Sequence, residues 1–99
     1  MKQVILSADG DQYLYSVPDP VAENLSRFCM EFLRWMQYTP AGKKYRDGRG
    51  FVFTEADFIV WLNENRFPEQ RSRLLEDLGE WDLREKIFAE HPDVPHFNF

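Results

Sequence analysis

Lys43, Lys44, Arg46 and Arg49 cluster around Tyr45, and this basic loop is the most pointed chemical feature of the 99-residue chain. Cations at that spacing suit phosphate groups or an acidic partner, and the ring among them is available for stacking. The plainer alternative is a solvated loop that balances acids elsewhere, as most charge runs do. Those acids gather later: Glu76, Asp77, Glu80, Asp82, Glu85, Glu90 and Asp93 outnumber Arg84 and Lys86. Within that stretch Glu80, Trp81, Asp82 and Glu85 are candidates for binding a partner. Acidic surfaces steer basic proteins into contact, and interfaces favour aromatic anchors beside charge. Surface solubility explains the same acids, and Trp81 would also serve to close a core.

The remaining reactive side chains form no catalytic set. Cys29 falls on the apolar stripe of a helix, where a thiol packs as a small hydrophobe with no basic neighbour to activate it. His91 and His96 lie in a proline-bearing tail without the further well-spaced ligands that a zinc site needs. No serine stands in a nucleophile elbow, and no glycine-rich phosphate loop is present. Asp9 and Asp11 suit a turn, and Glu55 and Asp57 suit a helix start. The sequence points to no catalytic residue, cofactor or metal, so the expectation is a binding protein rather than an enzyme.

The elements that position these groups follow from periodicity and punctuation. Residues 4–8 and 12–17 read as two strands around Asp9-Gly10-Asp11, a good hairpin signal. Pairing Ala8 with Asp11 places Leu6 opposite Tyr13 and Val4 opposite Tyr15, so that these four and Val17 line one apolar face. The other face carries Gln3, Ser7, Gln12 and Ser16, interrupted by Ile5 and Leu14. Asp19-Pro20 has the form of a helix start, with Asp as cap and Pro at the first position. Val21, Leu25, Phe28, Cys29, Phe32 and Met36 then recur at helical spacing up to Thr39-Pro40. Glu23–Arg27 and Arg27–Glu31 stand at the spacing of helical ion pairs.

After the basic loop, Phe51-Val52-Phe53 reads as a short strand added to the hairpin. Thr54 begins a second helix, with Glu55 and Asp57 in its first turn and Phe58, Ile59 and Leu62 facing a core. Asn65-Arg66-Phe67-Pro68 ends it. A third helix is expected from Glu69 or Arg73 to Leu78, stopped by Gly79, and one or two further turns over 83–89. The tail, His91 to Phe99, holds too much proline for a helix or central strand, yet Phe97 and Phe99 suit docking against the body. Trp35, Tyr38 and Trp61 suit a shared aromatic cluster or an exposed patch, and the weight of aromatics in small cores favours packing.

Sixteen aromatic residues are ample material for packing a small body. The length suits one domain over residues 1–99, and 43% hydrophobic with 29% charged residues is ordinary for a folded soluble chain. A net charge of -5 disfavours broad attraction to nucleic acid or anionic lipid. No apolar run is long enough to span a bilayer, and the N-terminal run is shorter than a signal peptide's core. One cysteine permits no intrachain disulfide and suits a reducing cytoplasm.

Several stretches together resemble a group of small uncharacterised bacterial proteins. They are Val17-Pro18-Asp19-Pro20-Val21-Ala22-Glu23-Asn24-Leu25, Lys43-Lys44-Tyr45-Arg46, Glu55-Ala56-Asp57-Phe58-Ile59, Leu62-Asn63, Phe67-Pro68, Leu78-Gly79 and Phe97-Asn98-Phe99. The resemblance spans nearly the whole chain, contains no catalytic motif and implies a free-standing domain in a bacterial cytosol. The expected fold is α+β: a three-stranded sheet, made of the hairpin and one short strand, packed on a long amphipathic helix and two or three shorter ones. The expected function is a small acidic protein-binding module of inhibitor, immunity or anti-defence type. The alternative is a nucleic-acid-associated factor using residues 43–49.

Overall fold

The computed structural model describes residues 1–8 and 10–99. The expected turn residue Asp9 lies outside them. Strands β1 (Lys2–Ser7) and β2 (Gln12–Val17) pair antiparallel, with Val4 opposite Tyr15 and Leu6 opposite Tyr13. Alternation dictates this register, because a slip by one residue would turn every apolar side chain to the wrong face. Val4, Leu6, Tyr15 and Val17 accordingly enter the main core.

The helical stripe is buried as the spacing predicts, but it is carried by two helices. Helix α1 (Asp19–Glu23) stops at Asn24, and α2 (Leu25–Tyr38) follows. Asn24 leaves helical geometry at φ -136°, and its side-chain amide donates to the Pro20 carbonyl at 3.1 Å. The expected long helix is therefore one of 14 residues. Asp19 does not cap: Pro18 holds the cap position, and the Asp19 carboxylate meets the N-terminal ammonium at 3.0 Å. The Arg27–Glu31 pair forms at 3.5 Å, while Glu23 pairs instead with Lys2.

Helix α3 (Glu55–Trp61) begins at Thr54, whose N–H donates to the Asp57 carboxylate at 2.8 Å. It runs on through a π turn, Leu62–Arg66, and ends where Phe67 N–H reaches the Leu62 carbonyl.

The sheet departs from the expectation, having four strands rather than three. Its order is β5-β2-β1-β6, where β5 is Arg73–Gly79 and β6 is His96–Asn98. The helix expected from Glu69 or Arg73 to Leu78 is not formed: Arg73–Gly79 is strand β5, paired antiparallel to the free edge of β2. Residues 51–53 do not join the sheet. Gly50–Phe51 (β4) pairs with Arg46–Asp47 (β3) in a separate two-stranded ribbon that turns at Gly48, φ +60°. Two irregularities in the β2–β5 register each add a residue to β5, and bulges of this kind twist and bend an edge strand. With Arg73, Glu76 and Asp77 along it, the free edge of β5 is a poor template for another flat strand.

The tail docks, and it supplies the other edge strand. Strand β6 lies parallel to β1, with Phe97 opposite Leu6, and Phe99 N–H donates to the Ser7 carbonyl. An edge is where a proline-flanked segment can pair, because no hydrogen bond is required on its outer side. Parallel pairing with β1 sends the Phe99 ring into the core beside Phe53 and Phe58, each 5.6 Å away.

Both faces of the sheet are covered. A second, smaller cluster joins Ile5, Leu14 and Ile87, the last from helix α4 (Arg84–Glu90). Ser7 and Gln12, read as an outward polar face, are buried there with the Asn98 amide and the Glu80 carbonyl as partners. Gly42 marks another close approach: a Cβ at this position would meet backbone atoms of Met36 at 2.5 Å.

Candidate functional site

The basic loop divides once folded. Tyr45 ends a 3-10 turn, Pro40–Tyr45, and is buried against Phe32 and Trp35, with ring centroids 6.3 and 6.1 Å away. Arg46 reaches back to the end of α2, where Nε donates to the Met36 carbonyl at 3.0 Å and an Nη to that of Thr39 at 2.7 Å. A guanidinium is suited to this task, since the last carbonyls of a helix lack partners and carry the negative end of its dipole. Lys43, Lys44 and Arg49 stay exposed, with the Lys44 ammonium 5.0 Å from the Tyr45 ring centroid. Three side chains of the five are thus left to meet a ligand.

The acidic group stays together at the surface. Glu80, Asp82 and Glu85 are exposed around a 3-10 turn, Trp81–Leu83, that leads into α4. Trp81 is half-buried, and the Arg84 guanidinium sits 5.4 Å from its ring. Among the described residues no cation lies within 4.0 Å of Glu76, Asp77, Glu80, Asp82 or Glu85. Leu83 is 49% exposed between these acids, and Leu74 of β5 is 53% exposed. A large apolar side chain exposed among unpaired carboxylates, as Leu83 is, has the composition of a recognition surface.

Two other candidate groups, Cys29 and His96, are held in packing contacts. Cys29 is fully buried, and burial pushes its thiol far up, so the thiolate needed for reaction is not available near neutral pH. The His96 ring stacks on Phe88 with centroids 4.0 Å apart. Among the described residues no three of His, Cys, Asp and Glu converge as metal ligands. Trp61 is buried and Trp35 half-buried in the aromatic cluster, but Tyr38 is 73% exposed and stands outside it.

One buried acid was not singled out by the sequence beyond its place at a helix start. Glu55 is 7% exposed and accepts a hydrogen bond from the Tyr15 hydroxyl at 3.4 Å. Burial raises its pKa above 4.5; the Ala56 N–H and the Tyr15 hydroxyl pull it back only in part. The folded state therefore binds this proton more tightly than the unfolded chain does. The stability linked to it is full below 4.5 and is lost as pH rises through the folded value. In urea titrations at a series of pH values, Glu55→Gln should become progressively more stable relative to wild type as pH rises. A difference that stays constant with pH would show that Glu55 ionises normally.

A concavity of about 560 Å³ opens where the tail diverges from β1, between Lys2, Gln3, Ala22, Glu23 and residues 93–95. Its rim charges are exposed, with Lys2 paired to Glu23. No family model matches the chain, and no curated protein or solved structure is similar to it. No helix among the described residues is long and apolar enough to cross a membrane.

Proposed function

We propose that this protein is a binding module that recognises a basic partner protein through Glu80, Trp81, Asp82 and Glu85, in the manner of an inhibitor, immunity or anti-defence protein. The observation that carries the reading is the set of exposed carboxylates without cations around exposed Leu83. Charge of one sign speeds encounter with an oppositely charged partner, and apolar contact then slows dissociation. The free edge of β5 adds Glu76 and Asp77 to the same acidic sequence region. A single buried thiol suits work in a reducing bacterial cytosol.

Pull-down from bacterial lysate tests it with two charge-altered variants. Glu80→Lys with Asp82→Lys and Glu85→Lys should lose the captured protein, whereas Lys43→Gln with Lys44→Gln should retain it. Unchanged capture by the triple variant removes the acidic surface from the explanation.

A further inference from the structure

The cations of this molecule are divided unevenly. Lys2, Arg27, Arg66 and Lys86 each face a carboxylate. The other eight have none within 4.0 Å among the described residues: Arg71, Arg73 and Arg84 late in the chain, and Arg34, Lys43, Lys44, Arg46 and Arg49. The last five belong to one stretch, residues 34–52, which holds a single acid, Asp47.

The fold brings that stretch together at one end. Arg46 fastens β3 to the Met36 and Thr39 carbonyls, and Phe51 pairs with Arg46 across the ribbon. The ribbon therefore lies beside the last turn of α2, where Tyr38 is found. Arg34 precedes Tyr38 by one helical turn, on the same side of α2. Tyr38 is 73% exposed and Phe51 40% exposed. Two large rings thus stand in water among cations that no acid answers.

We propose that this end of the molecule binds single-stranded nucleic acid, with Arg34, Lys43, Lys44 and Arg49 meeting phosphates and Tyr38 and Phe51 stacking on bases. A single strand answers both features at once, offering regular negative charge and unstacked flat faces. A duplex hides its base faces, and an acidic peptide has few to offer. The chain's charge of -5 does not oppose this contact, because at physiological salt screening acts within about 8 Å and the local cations dominate there. The surface is separate from the acidic group and does not depend on its role.

Fluorescence anisotropy with a labelled mixed-sequence oligonucleotide of about 12 nucleotides tests the proposal, over the few-nucleotide footprint such sites have. Contact with three to four phosphates gives a slope of about -2 to -3 in log affinity against log salt. Between about 50 and 200 mM salt that is a loss of roughly 20- to 50-fold. Lys43→Gln with Lys44→Gln should weaken binding and flatten the slope by about 1.4. Tyr38→Ala and Phe51→Ala should each weaken it about tenfold while leaving the slope unchanged. The triple reversal at Glu80, Asp82 and Glu85 should not weaken it. No anisotropy change at the lower salt, indifference to both ring substitutions, or equal competition by duplex or by anionic vesicles would overturn the proposal.

Discussion

Phe32→Ala is expected to remove a large share of the stability of this protein. Phe32 is fully buried at the centre of α2, and six aromatic rings lie within 6.3 Å of its own. They come from five parts of the chain: Trp35 beside it on α2, Tyr45 at the end of the basic loop, Phe53 before α3, Phe58 and Trp61 on α3, and Phe99 in the tail. Truncating a buried Phe costs about 3–5 kcal/mol, made up of lost transfer free energy and of the cavity left behind. A domain of this size has roughly 5–15 kcal/mol in total. The melting temperature should fall by more than about 12 °C, since each kcal/mol is worth about 4–8 °C in a small domain. Phe32→Leu should cost less, because it keeps much of the volume. A loss below about 1 kcal/mol in urea unfolding would mean that the rings do not share one core.

What the sequence discloses about this fold is what short-range pattern encodes. The hairpin register follows from alternation, the α2 stripe from threefold and fourfold spacing, and the α3 start from Thr54 and its acids. Strand β5 is different. Arg73-Leu74-Leu75-Glu76-Asp77-Leu78 contains good helix formers, and its strand state comes from the vacant edge of β2, a partner 57 to 67 residues away. Nor does spacing say that residues 51–53 would be displaced from the sheet or that the tail would fill its other edge.

The candidate surfaces divide in the same way. The acids at Glu80, Asp82 and Glu85 remain exposed because consecutive residues around a short turn share a surface whatever the rest of the chain does. The basic loop was only partly legible. Tyr45 is drawn inward by Phe32 and Trp35, and Arg46, though exposed, is engaged by the free carbonyls of a helix end that lies up to ten residues away. Conversely, Arg34 and Tyr38 join the loop only because Arg46 ties the ribbon to α2. A charge run names the sign of a surface, and the fold decides which of its members reach solvent.

The step that turns the chain from α3 into β5 rests on one amide. Asn63 is 7% exposed within the π turn; its Oδ1 accepts from the Ser72 N–H at 2.6 Å, and its Nδ2 donates to the Ser72 carbonyl at 3.0 Å. The side chain thus imitates a strand neighbour for the residue just before β5, closing the loop 67–72 and fixing where the strand begins. Asn63→Ala should leave both backbone groups of buried Ser72 without partners, at about 1–3 kcal/mol for each. The summed cost, about 2–6 kcal/mol, is comparable with that of the core truncation although only a few atoms are removed. Its signature should differ. Hydrogen exchange should accelerate first in β5 and along the edge of β2 that pairs with it, while α2 and the β1–β2 pairing stay protected up to global unfolding. Uniform acceleration throughout the sheet, or a cost below about 1 kcal/mol, would show that β5 is held by its pairing with β2 alone and that Asn63 merely fits the space beside it.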